Sequence, residues 1–177
     1  MEIREVRPEE YPEAGRVTAL AYLEFVRPGP GWDDWQGYLR EIGDVAGRVE
    51  RTVVLAAVED GRVLGTATIE IDRALGDDDV ELPSGAASLR MLGVDPGARG
   101  KGVGRALVEA CIERARAAGK RTMLLRTVGR MVAAQRLYAS MGFERDPDRD
   151  LSFEDGGGLL AFRMDLERPP GPTRKGP

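Results

Sequence analysis

The 177-residue chain contains no histidine. That removes the commonest general base, the commonest metal ligand and any Ser-His or Cys-His nucleophile pair. A mechanism without a metal and without a covalent intermediate is the expectation. Cys111 is the single cysteine, so no disulfide framework can form. It lies on an apolar helical stripe and reads as a small buried residue, not a nucleophile. No apolar run approaches the roughly 20 residues that span a bilayer. The opening stretch, MEIREVRPEE, also lacks the apolar core of a signal peptide, so no membrane partner and a cytoplasmic location are expected. A net charge of −4 supplies no broad basic face, which argues against a nucleic-acid partner.

Hydrophobic residues make up 42% of the chain and charged residues 32%. That balance is expected of a single folded domain, here residues 1–167. The tail from Arg168, RPPGPTRKGP, is rich in proline and glycine and is expected to be disordered. A short strand is expected at Ile3 to Val6 and a helix from Pro8 to Val26. After the break Arg27-Pro28-Gly29-Pro30-Gly31 comes a second helical piece through Trp32, Trp35, Leu39, Ile42 and Val45. Thr52 to Val58 and Val63 to Ile71 read as two strands of a hairpin turned by Asp60-Gly61. In the second strand Thr66, Thr68 and Glu70 share one side, and Gly65, Ala67, Ile69 and Ile71 the other. Residues 73–85 form a polar loop carrying Asp77, Asp78, Asp79 and Glu81.

The rest of the chain is organised around Met91 to Arg105, MLGVDPGARGKGVGR. Leu89, Met91, Leu92 and Val94 read as a strand, which Asp95-Pro96-Gly97 ends because proline has no amide to continue the ladder. Gly100, Gly102 and Gly104 follow at every second position, with Arg99, Lys101 and Arg105 among them. From Val103 the pattern turns helical, with Val103, Leu107, Ala110 and Cys111 on one stripe and Gly119 placed to cap the end. A strand, a glycine loop and a helix start aim backbone N–H groups and a helix dipole at one anion. The spacing excludes a P-loop, since Lys101 is followed by Gly102. It also differs from the Gly-x-Gly-x-x-Gly dinucleotide fingerprint.

Arg99-Gly100-Lys101-Gly102-Val103-Gly104 resembles the Arg/Gln-x-x-Gly-x-Gly/Ala signature of the GNAT acetyltransferase superfamily. Further on, Ala134-Gln135-Arg136-Leu137-Tyr138-Ala139-Ser140-Met141-Gly142-Phe143 is similar to that family's Asn-x-x-Ala-x-x-Leu-Tyr-x-x-x-Gly-Phe motif. Two motifs in the right order are far more specific than either alone. One position departs: Met131 stands where the family has Asn, and one hydrogen bond to the cofactor's pantetheine arm goes with it.

The resemblance implies an α/β (α+β) single-domain fold: a mixed, mostly antiparallel sheet of about seven strands with splayed central strands, flanked by about four helices. It implies acetyl-CoA as co-substrate, with Arg99, Gly100, Lys101, Gly102, Val103, Gly104 and Arg105 at the pyrophosphate. Gly93 reads as a bulge. Backbone groups of Leu92, Gly93 and Val94 would pair with the pantetheine arm, and an N–H near Leu92 or Gly93 would polarise the thioester carbonyl. Tyr138 matches the family's proton-donor position and would also touch the cofactor. Equally, it could be a core tyrosine on an apolar helix face.

The family's usual strand Glu corresponds to Ser88, which cannot act as a base. Glu70 on the neighbouring strand is the best carboxylate substitute, beside a water chain or an acceptor that arrives partly neutral. The implied activity is N-acetyl transfer to a primary amine by direct attack in a ternary complex. The alternative is a non-catalytic module that binds or senses acyl-CoA. Six of the ten aromatic residues fall between Tyr11 and Tyr38. They pack two helices together or in part wall the acceptor pocket. Acidic residues in the segments expected to border that pocket, Glu24, Asp33 and Asp34 in one and Asp77 to Asp79 in the other, favour a small cationic amine. Oligomeric state stays open, with a homodimer among the options.

Overall fold

Alternating apolar residues build one sheet, and apolar stripes at helical spacing lay helices on both of its faces. The computed structural model describes residues 1–25, 32–72, 82–153 and 157–167. The strands among them are β1 (Glu2–Glu5), β2 (Val53–Glu59), β3 (Arg62–Glu70), β4 (Ala86–Val94), β5 (Thr122–Val128), β6 (Glu144–Arg145), β7 (Leu151–Ser152) and β8 (Gly158–Asp165). The helices are α1 (Tyr11–Leu23), α2 (Trp32–Gly43), α3 (Val45–Val49), α4 (Val103–Ala117) and α5 (Val132–Ser140). The sheet runs β1-β2-β3-β4-β5-β8-β6, with β7 also paired to β8. Among the described strands, only β4 and β5 pair in parallel. The mixed, mostly antiparallel sheet expected from sequence is present, with one more strand and one more helix. The expected tail from Arg168 lies outside the described residues.

The extra helix arises at Asp44. Its carboxylate accepts from the Gly47 amide at 3.0 Å and restarts the chain as α3, which is what an N-capping aspartate does. The hairpin turn is local chemistry as well. Asp60 (φ 51°) and Gly61 (φ 75°) both take left-handed backbone, as a two-residue turn of matching twist requires.

One sheet face carries Leu55, Ala67, Ile69, Ala87 and Leu89, packed against Val103, Leu107, Val108 and Cys111 of α4. The other carries Val54, Ala56, Val58 and Val63, packed against Ala14 and Val17 of α1 and Val45 of α3. Thr66 points to this second face and meets Thr18 of α1, hydroxyl to hydroxyl, at 2.6 Å. The two faces therefore take the two side-chain sets that alternation assigned them.

Between β4 and β5 the ladder stops early. Their last pair is Leu89 with Leu125, yet β4 continues to Val94 and β5 to Val128. Each strand stays anchored on its outer side: β4 pairs with β3 as far as Val94 and Gly65, and β5 with β8 as far as Val128 and Leu159. The central strands are splayed, as expected.

The bulge is one step from where the sequence puts it. Thr66 faces Gly93 and Thr68 faces Arg90, so Met91 and Leu92 together oppose Ala67. Met91 has φ 51°, backbone that costs a non-glycine residue about 1–3 kcal/mol. Gly93 serves another purpose. A Cβ there would stand 3.1 Å from the Ala21 Cβ and 3.2 Å from the Thr18 Cα, so the missing side chain lets α1 lie directly on β4.

A similar close approach sets α1 against α2. A Cβ on Gly15 would clash with the Gly43 carbonyl oxygen, a backbone atom that cannot rotate away. Gly37, in α2, has nothing within 4 Å of its Cβ position. Gly15→Ala is expected to destabilise the protein by about 1–3 kcal/mol. Gly37→Ala should be neutral or stabilise by up to about 1 kcal/mol. Urea denaturation of both variants checks the contrast, and equal effects would contradict this packing.

Candidate active site

The parted ends of β4 and β5 open toward the start of α4. Asp95 closes β4 by accepting from the Gly97 amide at 2.9 Å, and one turn of 3-10 helix leads into the glycine loop. Gly100 (φ 77°) and Gly102 (φ 81°) hold left-handed backbone, and a Cβ on either would meet nothing within 4 Å. Gly102 is the N-cap of α4 and has no side chain to offer. The first helical bond runs from Ala106 to the Gly102 carbonyl at 3.0 Å. The amides of Val103, Gly104 and Arg105 are left with no acceptor inside the helix. Open space before orphaned amides at the positive end of a 15-residue helix fits a pyrophosphate.

The three cations of this loop are not equivalent. Arg99 grips Glu24 at the end of α1 with both guanidinium nitrogens, at 2.8 and 3.0 Å. Arg105 donates to the Ser140 hydroxyl of α5 at 2.7 Å, while Lys101 is exposed. Gly104 lies under α5, where a Cβ would stand 3.4 Å from the Leu137 Cδ2. These contacts bring the loop, α1 and α5 to one end of the sheet.

Tyr138 of α5 is 5% exposed and belongs to the core on the α4 side. Its ring packs against Phe143 at 5.8 Å and Phe162 at 6.2 Å. Burial pushes its hydroxyl well above the usual phenol range, with a smaller push from Cys111, so it is protonated at any physiological pH. Tyr138 also lies within electrostatic reach of Tyr22 at the end of α1. Met131 is the N-cap of α5 and makes no side-chain cap bond. Its thioether instead accepts from Thr127 at 3.4 Å.

The α1 face of the bulge carries the charged groups. Glu70 is 2% exposed and sits directly across from Ser88. It forms an ion pair with Arg90 at 3.6 Å. Beside them Arg48 of α3, 4% exposed, donates from Nη1 to the Met91 thioether at 2.6 Å. Arg48 and Arg90 both act on Tyr22. Tyr22 and Tyr38 stack edge to face at 6.2 Å and cover Met91 together with Ile42 and Leu39.

One expectation changes here, and another falls outside the described residues. Glu24 is bound to Arg99 and is not a free negative charge for an acceptor. The side chains of Asp33 and Asp34, those of Trp32 and Trp35, and Asp77 to Asp79 all lie outside the described residues. Arg48, Arg90 and Tyr22 were not picked out from sequence. The available signal was Arg48 at helical spacing from Val45, inside a short apolar helix.

A sequence model of the Acetyltransferase (GNAT) family matches residues 5–143. A mycothiol acetyltransferase of Kocuria rhizophila is 30% identical over 136 residues, 77% of this chain. The chain spans only 38% of that protein's length. Among solved structures, yncA of Salmonella typhimurium, determined with its cofactor acetyl-CoA, superposes with a TM-score of 0.65 at 24% identity, covering 98% of both chains. The PaiA N-acetyltransferase of Thermoplasma acidophilum, determined in complex with coenzyme A, gives 0.69 at 14% identity, covering 92% of this chain and 98% of its own.

Cys111 is fully buried against the α4 face of the sheet, and burial pushes its thiol up to about 12. Thiolate is the reactive form, so native Cys111 should resist iodoacetamide at pH 8 and react at an ordinary thiol rate after denaturation. Mass spectrometry of both states checks this. Rapid labelling of the native protein would contradict it.

Proposed function

The chain belongs to the GNAT acetyltransferase family, and on that premise we propose that it carries the acetyl group of acetyl-CoA to a small-molecule primary amine by direct attack in a ternary complex. One observation carries the reading: β4 and β5 part where a bulge, a loop of open glycines and a helix start with unused amides come together. A chain that only packed a core has no use for that combination, since each part of it leaves backbone groups unpaired.

Acetyl-CoA supplies a thioester already activated toward amines. In this proposal the amides around Gly102, Val103, Gly104 and Arg105 receive the pyrophosphate, and Lys101 and Arg105 add positive field. Leu92, Gly93 and Val94 present the backbone edge that β5 leaves unpaired to the pantetheine amides, as a strand edge does to a peptide. An N–H beside the bulge, near Leu92 or Gly93, polarises the thioester carbonyl where negative charge develops. Holding two reactants in line in this way supplies much of the acceleration.

Tyr138 is proposed to protonate the departing thiolate. Burial keeps Tyr138 protonated, so its hydroxyl is available to hydrogen-bond the sulfur as negative charge develops there, with proton transfer no further than that charge demands. Glu70 is the proposed acceptor of the amine's proton, through water. Its place opposite Ser88 puts a carboxylate beside the position where the family carries one. Arg90 holds that carboxylate in a fixed orientation.

Incubation with acetyl-CoA and an amine panel, following free thiol and acetylated product together, tests the function. The two should appear in equal amounts with at least one amine. Saturable acetyl-CoA binding with no turnover on any amine would favour the non-catalytic module instead. Tyr138→Phe should lower turnover by about 100-fold while leaving the KM for acetyl-CoA near its wild-type value. The loss sits at the low end of acid catalysis because a thiolate of pKa about 8.5 leaves readily. A wild-type rate in this variant, with acceptor saturating, would remove the donor role and leave acetyl transfer standing.

A further inference from the structure

Among the described residues, Arg48 stands out as a charge the fold does not explain. It is 4% exposed, and two of its nitrogens, Nε and Nη2, are fully buried with no hydrogen-bond partner. An unpaired buried donor costs about 1–3 kcal/mol, and more when charged. Desolvation accordingly depresses the Arg48 guanidinium below its ordinary value. Asp44 and Glu41 are close enough to act on its charge, yet the only hydrogen bond of the guanidinium among the described residues is the one to Met91.

Resting on the acetyl-transfer reading above, we infer that Arg48 anchors a carboxylate carried by the amine acceptor. Nε and Nη2 form one edge of the guanidinium fork, and that edge matches a carboxylate through two parallel bonds. The Met91 thioether holds the remaining nitrogen, Nη1, and so fixes the orientation of the edge. Met91 is also the bulged residue of β4, next to Leu92. A carboxylate on Arg48 would therefore hold its molecule beside the point where the thioester is proposed to lie, on the sheet face opposite α4. Arg90 adds a second positive charge to the same face, and Glu70 balances one of the two. The outer cover is Tyr22 and Tyr38, two half-buried rings packed on Met91.

This reverses the charge preference expected from sequence, which leaned on acidic residues. Glu24 is committed to Arg99. Arg48 and Arg90 share the bulge with Glu70, and Asp44 and Glu41 also act on Arg48, yet no carboxylate among the described residues bonds to the Nε and Nη2 edge. A zwitterionic acceptor, with an amine to acetylate and a carboxylate to hold, suits that set.

Matched acceptors test the inference: glycine against glycinamide, and phenylalanine against phenylalaninamide. On the wild-type protein kcat/KM should favour the free acids by about tenfold or more. In Arg48→Met the acid-over-amide ratio should fall to near one, with the KM for acetyl-CoA unaltered. Arg48→Lys, which keeps the charge and loses the fork, should fall between them. Arg48→Met removes an unsatisfied buried charge, so its thermal melting should match or exceed wild type. Acids and amides used equally by the wild type, or a ratio unmoved by Arg48→Met, would overturn the inference. If no amine in either set is acetylated, the transfer reading is judged on the wider amine panel and the anchor is tested separately. The anchor is then read from thermal shift with N-acetylglycine against N-acetylglycinamide. Stabilisation by the acid alone, lost in Arg48→Met, supports it, and equal shifts overturn it.

Discussion

Everything at the functional end of this molecule depends on two neighbouring strands that stop pairing. After Leu89 and Leu125, β4 and β5 run on without pairing to each other. Their outer ladders prevent closure, because β4 is tied to β3 and β5 to β8 along the parted stretch. A sheet interior normally satisfies every backbone group. Here an edge is opened inside it, and the bulge at Met91 and Leu92 turns β4 away from its former neighbour. Two glycines make that arrangement stable. Gly93 admits α1 on one face, while a Cβ on Gly65 would press on the Gly93 carbonyl and on Val103 and Leu107 of α4 on the other.

The charges are arranged to serve that opening from both faces. On the α4 side, the glycine loop offers amides and cations, and Arg99 spends much of its charge on Glu24 to tie the loop to α1. On the α1 side, Arg48, Arg90 and Glu70 stand behind the bulge. Tyr138 reaches the same end from α5, held in an apolar setting that keeps its proton. On the proposed reading the cofactor lies along the freed edge of β4 and the acceptor reaches the same bulge from the α1 face, which brings amine and thioester together.

What the sequence made legible was local. Asp60-Gly61 announces its turn because only a few residues accept two left-handed positions in a row. The glycine loop and the start of α4 are legible for the same reason, since spacing and backbone freedom lie within one short stretch. The break at Asp44 was not read, although an aspartate before an apolar pair is a usual N-cap. Glycine in a strand often marks a bulge, so sequence alone points to Gly93. Its real constraint is the approach of α1, a contact between distant parts of the chain. Arg48 was invisible for a related reason. A single arginine in a short helix reads as a solvated charge until packing shows it sealed in against Met91.

A crystal structure of this chain with acetyl-CoA is the decisive experiment. Pyrophosphate oxygens should lie within hydrogen-bond distance of the Val103, Gly104 and Arg105 amides. The pantetheine arm should pair with the β4 backbone from Leu92 to Val94, with the acetyl group at the Met91 bulge. An acetyl-CoA bound elsewhere, or β4 and β5 closed into a continuous ladder beyond Leu89 and Leu125, would contradict the proposed site.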